Sequence, residues 1–151
     1  MRSAPSRDIL PSCMWRSLRY PFFIFVITFL VFGYYSLFFV DSIHDGVVLI
    51  PAIGLLKGEM LFRELFTQYG ALFSLVHAVG LALFGVHIYS LRLVSLLLYS
   101  SIAIMLWFIY KRFLPTSWNL LAFILWIALS PVYKLYFHSW SSILAAFLQI
   151  L

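Results

Sequence analysis

Pro21 to Val40 runs for 20 residues without a charged side chain and is rich in Phe, Ile and Val. As a helix rising about 1.5 Å per residue it reaches roughly 30 Å, the depth of a bilayer's hydrocarbon core. The rest of the chain has little polar surface with which to hide such a segment. Of 151 residues, 64% are hydrophobic and 10% charged, whereas a soluble domain is typically about 25% charged. The apolar runs are continuous rather than alternating, which argues against a spanning β-barrel. A secretory signal has a shorter apolar core and a small-residue cleavage site; neither is evident, so the run reads as an uncleaved anchor. The expected fold class is all-α, a polytopic helical membrane protein.

The charges organise the remaining spans. Arg2, Arg7, Arg16 and Arg19 precede the first run, and Lys111–Arg112 separate two later ones. This is topogenic charge, not a basic stripe, so the net charge of +5 does not point to nucleic acid. It puts the N-terminus in the cytoplasm and Asp41 onward outside. Leu93 to Tyr110 is a second charge-free run. Leu120 to Val132 extends a third, entered from Pro115 and interrupted at Pro131. Ser142 to Leu151 begins a fourth and, at 10 residues, is too short to cross.

Thr67 to Leu91 is also uncharged and can be read two ways. If it crosses, Lys111–Arg112 fall outside, against the positive-inside bias. If it lies in the outer interface or re-enters, they fall inside. Charge favours the second reading, and His77, His87, Ser74 and glycines 70, 80 and 85 suit a helix packed at an interface. The expected organisation is a basic tail over 1–20, a first transmembrane helix over 21–40, an outer-side loop of juxtamembrane or re-entrant helices over 41–91, and further spans over 92–151, the last one truncated. The single cysteine, Cys13, makes no internal disulfide, and no Cys/His spacing suggests zinc.

Of five acidic residues, four (Asp41, Asp45, Glu59 and Glu64) lie within 24 positions. Asp45 stands at the start of a short helix, where orphan backbone amides favour a carboxylate, and Gly58 is a plausible stop for that helix. Glu59, Arg63 and Glu64 follow in a second short segment, and Gln68-Tyr69-Gly70 marks a turn. Each residue has a plain structural explanation: Asp45 as a cap, Arg63 paired with Glu59 at i,i+4, a solvated loop. Their order along the chain says more.

His44-Asp45-Gly46 is followed by Leu55-Leu56-Lys57-Gly58, Leu61-Phe62-Arg63-Glu64, Tyr69-Gly70-Ala71-Leu72, Leu83-Phe84-Gly85 and Arg92-Leu93. In this order the pieces resemble the N-terminal part of the GT-C superfamily of polytopic membrane glycosyltransferases. These include mannosyltransferase-like and aminoarabinose-transferase-like enzymes and use polyprenyl-phosphate sugars. The resemblance covers roughly residues 20 to 142. It implies a cytoplasmic tail, one span, an outside acidic motif, a helix ending in Leu-Phe-Gly on the outer side, and an Arg-Leu entry to the next span. The chain departs from the family at His44, where a second acid is usual, and between Ser130 and Ser142, which holds Lys134 and His138 but no carboxylate. No metal or other cofactor is therefore expected.

What the resemblance implies is transfer of a sugar from a polyprenyl-phosphate donor to an extracytoplasmic acceptor. Asp45 carries over as the catalytic base that takes the proton of the attacking hydroxyl. With no second carboxylate placed for a covalent sugar intermediate, the displacement inverts the anomeric centre. Cations stabilise the departing phosphate: Arg63, Arg92 and Lys134, with His138 behind them. His44, Asp41, Glu64 and Tyr69 complete the substrate-binding candidates. The partners are the lipid donor and the bilayer, in the inner (plasma) membrane of a bacterium, with a missing C-terminal portion or a membrane-protein partner to complete the enzyme. The alternative is a small noncatalytic integral membrane protein, an assembly subunit or a decayed relative. Aromatic residues are expected as interfacial belts and lipid-facing packing.

Overall fold

A computed structural model describes residues 10–38, 42–129 and 141–151. Its extended elements are all α-helices: α1 (Leu10–Ser36), α2 (Ser42–Leu56), α3 (Ala71–Phe84), α4 (Ile88–Tyr110), α5 (Thr116–Ala128) and α6 (Ser141–Ile150). Two of them are long and apolar enough to cross a membrane, α1 over Arg19–Ser36 and α4 over its whole length. The helix of α1 starts well ahead of the apolar run and carries Pro21 inside it. The uncharged stretch 67–91 is not one helix. Gly70 and Gly85 bracket α3, and Gly85 takes φ 91° while its N–H caps the Leu81 carbonyl at 2.9 Å, a positive-φ helix end that glycine adopts without a Cβ clash. At 15 and 14 residues, α2 and α3 each reach only about 21–22 Å, short of a hydrocarbon core.

α4 is the hub, packing against α1, α3, α5 and α6. It runs antiparallel to α1: Ser36 meets Arg92, Phe32 meets Tyr99, and Tyr20 stacks on Trp107 with ring centroids 5.5 Å apart. The end of α1 and the start of α4 thus lie together, with α2, the 57–70 connection and α3 inserted between them in sequence. α3 approaches α4 closely at Gly80, where a Cβ would come within 2.1 Å of the Val94 side chain. Only a hydrogen fits there.

The core is partly aromatic. Phe32 sits edge-on to Tyr99 at 4.6 Å, and Tyr99 stacks on Trp126 at 4.8 Å, joining α1, α4 and α5, while Ile143 of α6 closes the cluster. A second cluster of Ile24, Ala103 and Trp107 extends along the α1–α4 seam. A third, formed by Val48, Phe73, Leu91 and Leu144, brings α2, α3, α4 and α6 together. Other aromatics are exposed: Phe22, Phe23 and Tyr34 on α1. Two hydroxyls in these helices bond back to their own backbone, the buried Thr28 Oγ1 to the Ile24 carbonyl at 2.7 Å and the half-buried Ser101 Oγ to the Leu97 carbonyl at 2.8 Å, so neither needs a distant partner.

Candidate functional site

α2 opens with Asp45 in its first turn, where the unpaired amides and the positive end of the helix dipole stabilise a carboxylate. α1 closes at Ser36, whose carbonyl is among those a helix C-terminus leaves unpaired. Arg92, in the second turn of α4, reaches both. Its Nη2 donates to Asp45 Oδ2 at 2.6 Å, and its Nη1 donates to the Ser36 carbonyl. One guanidinium therefore sits between the negative end of α1 and the carboxylate at the start of α2, and ties three helices together.

Both partners are withdrawn from solvent, with side-chain exposures of 2% for Arg92 and 1% for Asp45. At that depth the attraction is little screened, but both groups have lost their hydration. The pair does not use all of its polar atoms. Asp45 Oδ1 and Arg92 Nε are buried and have no hydrogen-bond partner among the described residues. The geometry is a fixed carboxylate with one oxygen held and the other left as an acceptor.

A second polar group lies one turn further along α4. His77 on α3 is fully buried. Its Nδ1 lies 2.9 Å from the Phe73 carbonyl and its Nε2 lies 3.2 Å from Ser95 Oγ. A carbonyl only accepts, so Nδ1 carries the proton and Ser95 donates its hydroxyl to Nε2. Burial pushes the imidazole below the usual histidine range, and the bond to Phe73 opposes that shift. The ring is thus held neutral between the two helices. Nearby, Thr67 and Ser74 hydroxyls pair at 3.0 Å, and Ser74 also donates to the Gly70 carbonyl, which fixes the start of α3.

The structure brings Asp45 and Arg92 into contact, although the sequence assigns them separate roles as base and phosphate-binding cation. His44 is half-buried beside Asp45 in the same turn. Tyr69 is half-buried and packs edge-on against Phe73 at 5.5 Å, as part of the cluster around Val48 and Leu91. Arg63 and Glu64 are exposed in a tight turn. That turn is a correction to the expected short segment with an i,i+4 Glu59–Arg63 pair. Glu64 Oε2 accepts from the Met60 amide at 2.8 Å, the Arg63 guanidinium lies 3.8 Å from the Met60 sulfur, and the Phe62 amide donates to the Leu65 carbonyl at 2.8 Å. With the backbone folded back on itself, residues 59 and 63 no longer share a helix face. Asp41, Lys134 and His138 lie outside the described residues.

Sequence reasoning missed the Ser36 carbonyl as Arg92's second acceptor and Ser95 as the partner of His77. The second was findable. Arg92, Ser95 and Tyr99 recur at i, i+3 and i+7 along α4, the spacing that lines one face of a helix with polar groups. Among the described residues, no group of three or more His, Cys, Asp or Glu side chains could hold a metal ion. Compared with known proteins, the chain matches no family model, no curated protein and no solved structure.

Proposed function

We propose that this chain is the N-terminal portion of a polytopic glycosyltransferase of a bacterial inner membrane, with its N-terminus in the cytoplasm. It transfers a sugar from a polyprenyl-phosphate donor to an acceptor on the outer side. The observation that carries this reading is the state of Asp45, with Oδ2 fixed on Arg92 and Oδ1 buried without a partner among the described residues. In the reaction the acceptor oxygen attacks the anomeric carbon as the bond to the phosphate oxygen breaks. The bonding electrons leave with the phosphate, and the acceptor's proton passes to Asp45 Oδ1, inverting the centre. Arg92 acts through Asp45 as a positioning residue. The leaving phosphate then falls to Lys134 and His138. Asp45 is 1% exposed, so the first turn of α2 opens to admit the acceptor.

The same burial favours a second reading, in which the pair is a structural staple of a noncatalytic membrane protein. The two readings separate in membranes of the producing cell, assayed with radiolabelled polyprenyl-phosphate sugars and the gene product as the cell makes it. The transferase reading expects Asp45-dependent release of sugar from the donor, lost in Asp45→Asn at unchanged protein level. Wild-type membranes that release none, or Asp45→Asn membranes that match wild type, overturn it. A charge-swapped Asp45→Arg/Arg92→Asp chain that keeps both its abundance and its cellular phenotype supports the staple.

A further inference from the structure

The connection between α2 and α3 presents apolar side chains outward on a rigid support. Met60, Phe62 and Phe66 are 56%, 69% and 83% exposed. Phe62 adopts φ 65°, a left-handed conformation rare for a bulky residue and held only where the surroundings impose it. Those surroundings are visible. The turn is closed by the Phe62–Leu65 backbone bond and by Glu64 on the Met60 amide. Beneath it Leu65 docks on Gly54 of α2, where a Cβ would come within 2.2 Å of the Leu65 side chain. Thr67 then fastens the following residues to Ser74. In water such a turn would gain by folding its two phenylalanines inward; here strain and anchoring hold them out.

The charges beside them differ in what engages them. Glu64 is engaged with the turn's own backbone, and Glu59 is half-buried with its Oε2 near Gly54. Lys57 and Arg63 are exposed on the same stretch. Outward aromatic and thioether side chains beside outward cations match the chemistry of a phospholipid interface, with acyl chains below and phosphates at the surface. The apolar surface is also continuous in kind with that of α3, where Leu72, Leu75, Val79 and Leu83 recur along one exposed face.

We infer that the Lys57–Phe66 turn is a membrane anchor that inserts Phe62 and Phe66 into the phospholipid interface and sets Lys57 and Arg63 against lipid phosphates. The anchor fixes the outer ends of α2 and α3 at a set depth beside α1 and α4. It holds whether or not the protein is a transferase, because it requires only that α1 and α4 cross the bilayer.

The test uses the full gene product with Cys13→Ser, reconstituted in phosphatidylcholine–phosphatidylglycerol vesicles. Single nitroxides are placed at Phe62→Cys, Phe66→Cys and, for comparison, Glu64→Cys. Power saturation against oxygen and against a water-soluble nickel chelate reports depth. Positions 62 and 66 are expected to be at least several-fold more oxygen-accessible relative to nickel than position 64. Position 66, whose backbone φ is negative, keeps the test valid if Phe62→Cys fails to fold. Nickel-dominated relaxation at 66 overturns the anchor in favour of a solvated loop. An immobilised label shielded from both reagents overturns it in favour of a protein partner covering the turn.

Discussion

The α1–α4 pair is held by charge at one end and by aromatic packing along the rest. At the start of α4, Arg92 joins Asp45 and the Ser36 carbonyl; further along, Phe32, Tyr99 and Trp126 pack together and Tyr20 lies on Trp107. Stacked rings tolerate a change of shape as long as volume is kept, because dispersion has little directionality. A buried ion pair tolerates almost nothing on one side alone, because the surviving charge is left without water or a partner. The two closures therefore differ less in strength than in what each permits. The aromatic seam can repack, whereas the charged end either stays joined or opens.

This difference orders the expected effects of substitution. Arg92→Ala leaves Asp45 uncompensated and should cost about 3–5 kcal/mol, read as a large loss of thermal stability in detergent. Asp45→Leu/Arg92→Met, which removes both charges, should recover most of that loss. If the double variant is no better than Arg92→Ala, the pair is not the source of the effect. Gly80→Ala drives a methyl into Val94 and should cost about 1–3 kcal/mol as overpacking; adding Val94→Ala should restore stability, which a remote effect would not do. Within the aromatic seam, Phe32→Leu should cost only about 1 kcal/mol, and a loss as large as that of Arg92→Ala would erase the contrast between the two ends.

The smallest effect expected is a dependence on pH. The folded His77 lies below the ordinary histidine value because burial disfavours its charge. The unfolded chain therefore binds a proton first as pH falls. The contribution from His77 is present in full above the unfolded value of about 6.5 and is lost as pH drops through the folded value. Melting temperature should decline on acidification below that point, and His77→Gln should flatten the decline.

Helix ends were the most legible part of the fold. Asp45 at the start of α2 and Gly58 after it are local signals, and each stands where its chemistry puts it. The Asp45–Arg92 contact was not legible, because it spans 47 residues and no local pattern encodes a partner at that distance; both residues were candidates, but for different tasks. The Glu59–Arg63 pair failed for the opposite reason. It assumed that a helix continues, while Leu65 docking on Gly54 turns the chain back. The aromatic core was hidden by composition, since lipid-facing and buried rings look alike in a sequence without periodic polar residues.

The separation of Arg92 from its partners also sets an order of events during synthesis. Asp45 leaves the ribosome 47 residues before Arg92, an interval of about 2–10 s at ordinary elongation rates of roughly 5–20 residues per second. Throughout it α1 is already made and Asp45 has no countercharge, so the first turn of α2 has reason to stay hydrated. When Arg92 arrives it draws Ser36 and Asp45 together in one step. The guanidinium thus acts as a late latch, since the junction of α1, α2 and α4 cannot close before Arg92 has been made.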